Sequence, residues 1–387
     1  MFSSRFHWDL RPNRLAVALA ARRAAGGEIL DLTESNPTRA GLDYPPGILE
    51  ALADPRALRY EPAPAGAQAA REAVSAYYAA RGLEVAPDRI LLTASTSEGY
   101  AYLFKLLTDP GDEVLVPQPS YPLFEFLATM ESVRVAHYPL AYHGVWSLDT
   151  DALARAITPA TRAVVVVNPN NPTGSYLKRD ERDSLVEICR ARHLAIVSDE
   201  VFADYPHGPD PRRVATLAGE EDVPAFSMSG LSKIAGLPQM KLGWIVAAGP
   251  PRLRREAMEK LELVADTYLS GSTPVQHAAP ALLAAGVAVR AQIARRVREN
   301  LEFFREAAAA HPACRILDVE GGWVATLQVP RTRSEEEWAL ALLEEDGVLV
   351  QPGFFYDFAS EAFLVVSLLT LPETFREGVR RLFTRGF

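Results

Sequence analysis

Residues 163–174 read Ala163-Val164-Val165-Val166-Val167-Asn168-Pro169-Asn170-Asn171-Pro172-Thr173-Gly174. Four consecutive valines read as a strand buried on both faces, the pattern of a parallel sheet rather than of a sheet with one wet side. Two Asn-Pro steps then exclude helix and fix a loop, with side-chain amides available to the crevice beyond the strand. The same short β-branched or apolar runs recur at 89–93, 113–117, 194–198, 225–228 and 242–246, and amphipathic stretches at 98–107 and 185–192 alternate with them. The alternation predicts an α/β domain whose mostly parallel sheet is covered by helices on both faces. Past residue 250 the pattern changes. Long helical stretches at 252–268 and 275–310 precede strands at 323–329 and 363–368, which alternate with helices at 334–345 and 372–384. These predict a smaller α/β lobe. The expected division is an N-terminal segment packing on the small lobe (1–45), a large domain (46–275), and a small C-terminal domain with its connecting helix (276–387).

With 387 residues and 48% apolar side chains, the chain has material for a large core without disulfides or metals. A net charge of −9 argues against nucleic acid, whose readers carry a concentrated basic face. Two cysteines, Cys189 and Cys314, make no disulfide framework and no metal-ligand spacing, and read as reduced thiols of a cytoplasmic protein. The first residues lack the basic-then-apolar order of a leader, and no membrane span is expected. One compositional bias stands out: of 40 basic side chains five are lysines (Lys105, Lys178, Lys233, Lys241, Lys260) and the other 35 are arginines.

In open parallel sheets, ligands bind outside the carboxyl ends of the strands. Five polar groupings fall there. Thr93-Ala94-Ser95-Thr96-Ser97-Glu98 opens a helix; it reads either as a plain Ser/Thr cap or as a seat for phosphate made of free N–H groups, hydroxyls and the positive dipole end. Pro119-Ser120-Tyr121-Pro122 offers an aromatic that either stacks on a flat ring or lines a turn. The Asn-Pro loop is the third. Ser198-Asp199-Glu200 ends a buried strand; a carboxylate there either caps a helix or needs a cation to stay ionised, and a protonated pyridine nitrogen would serve. The fifth, residues 229–244, carries Lys233 and Lys241 eight positions apart among Leu, Ile, Met and Trp. A desolvated lysine loses its proton readily and can form an imine.

Taken in order, Asn168 to Gly174, then Asp199-Glu200, then Ser229-Gly230-Leu231-Ser232-Lys233 with a cation eight residues on, the chain resembles the fold-type I pyridoxal-phosphate aminotransferases of class I/II over essentially its whole length. The resemblance implies a large domain with a seven-stranded-type sheet plus a smaller lobe, pyridoxal 5′-phosphate as cofactor, and a homodimer. By position it makes Lys233 the Schiff-base lysine and proton carrier, and pairs Asp199 with the pyridinium nitrogen. It further assigns Asn171 to the ring's phenolic oxygen, Tyr121 to stacking, and Ser95, Thr96, Ser97, Ser229 or Ser232 and Lys241 to the phosphate. Tyr60 matches the tyrosine that reaches the partner's phosphate, and 270–274 another cross-subunit contact. The implied reaction moves an amino group from an amino acid or amine to a 2-oxo acid; a lyase or decarboxylase using the same cofactor is the alternative.

Two positions depart from the family. A tyrosine usually stands three residues after the aspartate; here it is Phe202. The arginine that usually clamps the substrate carboxylate is replaced by Val365, within Phe363-Leu364-Val365-Val366-Ser367, and no arginine lies between Asp357 and Phe375. The clamp is therefore expected elsewhere, with Arg39 and Asn36 on the N-terminal loop as the candidates, unless the substrate has no carboxylate or the activity differs. Arg39 as an ordinary surface arginine stands beside that reading. The missing Gly-x-Gly-x-x-Gly after any strand argues against a nicotinamide enzyme, and 228–230 lacks the glycines of a hydrolase nucleophile elbow.

Overall fold

The valine run lies in the middle of the main sheet of a computed structural model that describes residues 2–386. A short strand, β1 (Leu30–Asp31), precedes the eight of the large domain: β2 (Ile90–Thr93), β3 (Glu113–Gln118), β4 (Arg134–Tyr142), β5 (Trp146–Leu148), β6 (Thr161–Val167), β7 (Ala195–Asp199), β8 (Ala225–Gly230) and β9 (Gly243–Ala248). Their order is β2-β9-β8-β7-β6-β3-β4-β5. Pairing is parallel from β4 through β3, β6 and β7 to β8; β9 runs antiparallel between β8 and β2, and β5 antiparallel on the edge. The seven-stranded expectation is thus met with one short edge strand added. β4 escapes the sequence pattern because its residues are largely half-exposed and its apolar run is broken by His137 and Pro139, unlike the fully buried centre.

Along β6 the valines alternate between two cores. Val165 and Val167 face a cluster with Leu103, Phe104 and Leu261, whereas Val164 and Val166 face Leu185, Cys189 and Leu194 on the other side. Helices therefore cover both faces, and the strand has no polar side. The helix expected over 185–192 begins earlier, at Arg179, because the Glu181 carboxylate accepts the Lys178 backbone N–H and caps the first turn.

The small domain contributes β10 (Arg315–Ile316), β11 (Val324–Gln328), β12 (Val348–Leu349), β13 (Gln351–Pro352) and β14 (Phe363–Ser367); four of them form an antiparallel sheet in the order β10-β11-β14-β13. From the N-terminal segment, Leu15, Leu30, Leu32 and Ala40 share this domain's core, and β1 pairs in parallel with β12. The first residues lie elsewhere: Trp8 packs on Phe126 and Arg5 donates to the Met130 carbonyl, both on the large domain. A 37-residue helix, Thr273–Ala309, joins the domains. Part of it is long and apolar enough to cross a bilayer by length and composition. Its buried residues include Val275, Ala279, Leu282, Val289 and Ile293, which fill the protein's own cores.

Candidate active site

Register across the sheet brings the five groupings to one edge. Val167 pairs with Asp199, Asp199 with Met228, and both Gly230 and Thr93 with Gly243. A side chain on Gly243 would collide with its surroundings: its Cβ would lie 3.1 Å from the Ser229 carbonyl, 3.1 Å from Thr93 Oγ1 and 3.2 Å from the Ser95 carbonyl carbon. The glycine is what lets the Ser95 and Ser229 loops meet.

The helix Thr96–Leu107 opens on Ser95, whose Oγ accepts the Glu98 N–H at 3.2 Å, while Glu98 Oε2 accepts from Ala94 N at 2.6 Å. Ser95 is thus a cap, and the half-buried hydroxyls of Thr96 and Ser97 have no partners among the described residues. Ser229 Oγ is buried and unpaired as well. Ser232 is half-buried. Lys241 is exposed and held at φ 51°, ψ 54°, a left-handed conformation uncommon for a lysine.

In the Asn-Pro loop the three asparagines divide. Asn168 donates to the Val214 carbonyl and accepts from Leu177 N; Asn170 donates to the Pro119 carbonyl and Thr173 Oγ1 and accepts from Ser120. Those two amides build the loop rather than face the crevice. Asn171 makes no side-chain hydrogen bond, and its Oδ1 is buried without a donor. The two acids after β7 divide likewise. Glu200 is buried and saturated, accepting from Ser198, Thr216, Ser227 and Leu217 N. Asp199 accepts only from Tyr100 Oη at 3.0 Å and Val201 N at 3.2 Å. Burial raises its pKa, and those two donors and the Lys233 charge oppose the rise.

Lys233 follows β8 in a single helical turn and makes no ion pair among the described residues. Its Nζ lies 4.9 Å from the ring centre of Trp323 and 5.4 Å from that of Phe202. Burial lowers its pKa to about 8, against the attraction of Asp199. Tyr205 Oη donates to the Lys233 carbonyl at 2.5 Å and pins the turn. Tyr121 is 45% exposed, and burial of the rest of it, then the Asp199 charge, raises its pKa. Three contributors lay outside the sequence reading: Tyr100, Tyr205 and Trp323. The first two have no motif around them; Trp323 follows Gly321-Gly322, a turn signal inside a strand region.

Other candidates stand apart. Tyr60 is 78% exposed and lines, with Arg59, Tyr102, Ser270, Gly271 and His277, a cavity of about 470 Å³ that does not include Lys233. Ser270 links it to the helix Thr96–Leu107 by donating to Glu98 at 2.8 Å. Asn36 is spent on its own turn, accepting from Thr38 N and Oγ1. Arg39 is exposed and unpaired on that turn, whose Pro37 packs against Gly236 three residues past Lys233. Val365 is fully buried; its register partners on either side are Thr326 and Gln351, both neutral.

Comparison with known proteins matches residues 27–382 to the family model for class I and II aminotransferases. Glutamate-pyruvate aminotransferase AlaA of Escherichia coli is 33% identical over 257 residues, 65% of this chain; the match spans about 63% of the length of that relative. Arginine–pyruvate transaminase AruH of Pseudomonas aeruginosa is 28% identical over 97% of this chain and 93% of its own. Among solved structures, an aminotransferase from Escherichia coli superposes with a TM-score of 0.88 at 25% identity, covering 100% of this chain and 98% of that one. The alanine aminotransferase of Pyrococcus furiosus superposes at 0.89 with 23% identity, covering 98% of each.

Proposed function

Because the chain belongs to the class I and II aminotransferase family, we propose that it is an aminotransferase that moves an amino group from an amino acid or amine to a 2-oxo acid, with Lys233 as the reacting amine. The observation that carries this reading is the set of unspent polar groups at one sheet edge: Lys233 Nζ without an ion pair, Asn171 Oδ1 and Ser229 Oγ buried without partners, and Asp199 with only two donors. Glu200 and Asn170 at the same edge are, by contrast, satisfied. Unmet buried polar atoms are costly, and pyridoxal phosphate, the cofactor of this family, offers complements: an aldehyde for Lys233, a basic ring nitrogen for Asp199, an oxygen that accepts from the Asn171 Nδ2 amide, and a phosphate for the 95–97 and 229–232 loops. Lys241 adds charge to the phosphate without the bidentate fork of an arginine.

When bound, the cofactor acts as an electron sink for the negative charge left on the substrate carbon. Lys233 Nζ, with its pKa near 8, takes a proton from that carbon and returns one at neutral pH, where neither state is strongly disfavoured. Trp323 and Phe202 exclude water around it. Arg39, exposed and unpaired beside the Lys233 turn, supplies the cation for the substrate carboxylate that Val365 cannot. The relatives named as transaminases favour transfer over the lyase chemistry.

A second copy of the chain completes this reading. Leu58 (92% exposed) and Tyr60 stand uncovered beside the cavity at Ser270, a face that an apolar neighbour would cover. Two free, buried thiols suit the cytoplasm. The test is a half-reaction screen with reconstituted protein, a panel of amino acids and simple amines, and the cofactor absorbance as readout. Lys233→Ala is expected to abolish the spectral change; full turnover by that variant refutes the reading. Arg39→Gln is expected to raise KM about tenfold for carboxylate-bearing substrates with kcat nearly unchanged; activity only on amines lacking a carboxylate refutes the Arg39 assignment.

A further inference from the structure

Tyr100 sits on the first turns of the helix Thr96–Leu107, with its ring fully inside the protein, edge-on to Phe124 at 5.4 Å and tilted on Phe104 at 5.9 Å. The preceding residue, Gly99, brings the helix so close to β8 that a Cβ would fall 2.9 Å from Met228 Sδ. Ring and helix are therefore fixed, and the hydroxyl has one partner among the described residues, Asp199 Oδ2 at 3.0 Å. Filling this space calls only for a phenylalanine; a buried hydroxyl costs stability unless it is bonded. We propose that Tyr100 is a positioning residue for Asp199, holding the carboxylate ionised and turned so that the proton shared with the cofactor ring stays on the ring nitrogen rather than on Asp199.

The proposal rests on the assignment of Asp199 to that nitrogen. Its physical content is competition for one proton. Asp199 is half-buried, and its desolvation makes the carboxylate more basic. Tyr100 on Oδ2 and the Val201 N–H on Oδ1 draw charge from it and make it less basic, and each oxygen keeps a lone pair for a cation. The phenol is the donor: burial and the neighbouring carboxylate push its pKa far up, so it keeps its hydrogen. Lys233 and Tyr121 are the other ionisable groups facing Asp199. With the Tyr100 hydroxyl removed, only the Val201 N–H and the Lys233 charge oppose the burial, and the proton moves toward Asp199.

The test is Tyr100→Phe in holoenzyme loaded with cofactor carrying ¹⁵N at the ring nitrogen. The ¹⁵N chemical shift is expected to move from the pyridinium toward the pyridine range, with cofactor Kd about tenfold weaker and an unchanged thermal midpoint. A variant whose ¹⁵N shift stays pyridinium-like, whatever its stability, overturns the proposal. In an Asp199→Asn background the same substitution is expected to change Kd less than twofold; an equal tenfold loss in both backgrounds also overturns it, because the hydroxyl would then act without the carboxylate. If the unsubstituted protein shows no pyridinium signal, the assignment of Asp199 fails first and takes this proposal with it.

Discussion

Lys233→Met in the cofactor-free protein tests the burial of the reacting amine. Burial brings the Lys233 pKa from 10.5 to about 8. A lysine whose folded pKa lies below its unfolded one disfavours folding while charged: below pH 8 both states hold the proton and the full penalty applies. Between pH 8 and 10.5 the unfolded chain holds more protons, so stability rises with pH, and above 10.5 the penalty is gone. At 1.36 kcal/mol per pKa unit the penalty is about 3 kcal/mol at pH 7. The attraction to Asp199, which opposes the shift, is already contained in that net value. Lys233→Met, which keeps the volume and drops the charge, is therefore expected to be more stable than the parent at pH 7 by about 2–3 kcal/mol. The two proteins should converge as pH climbs from 8 to 10.5. Urea unfolding of both proteins across pH 7 to 10.5 measures the difference, in which groups common to both cancel. A variant less stable at pH 7, or a gain that does not shrink with pH, would show that the amine is solvated rather than enclosed by Trp323 and Phe202.

Two further outcomes follow from the same geometry. Phe202→Tyr places a hydroxyl three residues past Asp199, and the pH midpoint of the loaded protein's visible absorbance is expected to fall by up to about one unit, the worth of one hydrogen bond; a midpoint unchanged or raised contradicts the reading that the phenylalanine removes a donor to the phenolic oxygen. Lys178→Met removes the buried partner of Glu320, which Lys178 Nζ meets at 2.5 Å while also donating to the Trp146 and Tyr176 carbonyls. Glu320 keeps the Tyr176 N–H at 3.1 Å and Arg213 at 3.9 Å, so loss of the ammonium is expected to cost about 1.5–3 kcal/mol in denaturant unfolding, and a loss under about 1 kcal/mol would show that water reaches the pair.

What the chain discloses of itself tracks how local the physics is. The valine run, the Asn-Pro loop and the Lys233 turn are contiguous, and each residue type is dictated by its immediate backbone: both faces of β6 buried, φ fixed at proline, a glycine where Gly243 meets two loops. Such features are legible in order along the chain. β4 was not, because its half-exposed residues, interrupted by His137 and Pro139, give no continuous apolar run. Nor was the division of labour inside motifs. Asn168, Asn170 and Asn171 look alike in sequence, and only the partners offered by Pro119, Thr173, Val214 and Leu177 show that the first two are spent and the third is free.

The rarity of lysine gains a physical meaning from this division. Lys178, Lys233 and Lys241 occupy three environments in which a guanidinium would do different chemistry. Lys233 must lose its proton, which an arginine does not do in a protein. Lys178 threads one ammonium among two carbonyls and a carboxylate inside the domain junction, where a planar fork has no matching geometry. Lys241 is the exception: an exposed cation in a left-handed backbone, at a place where the family's usual residue is arginine. In the proposed function a point charge suits the phosphate there only if directional bonds come from elsewhere, and the hydroxyls of Thr96, Ser97 and Ser229, without partners among the described residues at the same sheet edge, are the donors that would supply them. On that proposal the hydroxyls would hold the phosphate and Lys241 would neutralise it, with the two tasks on separate residues.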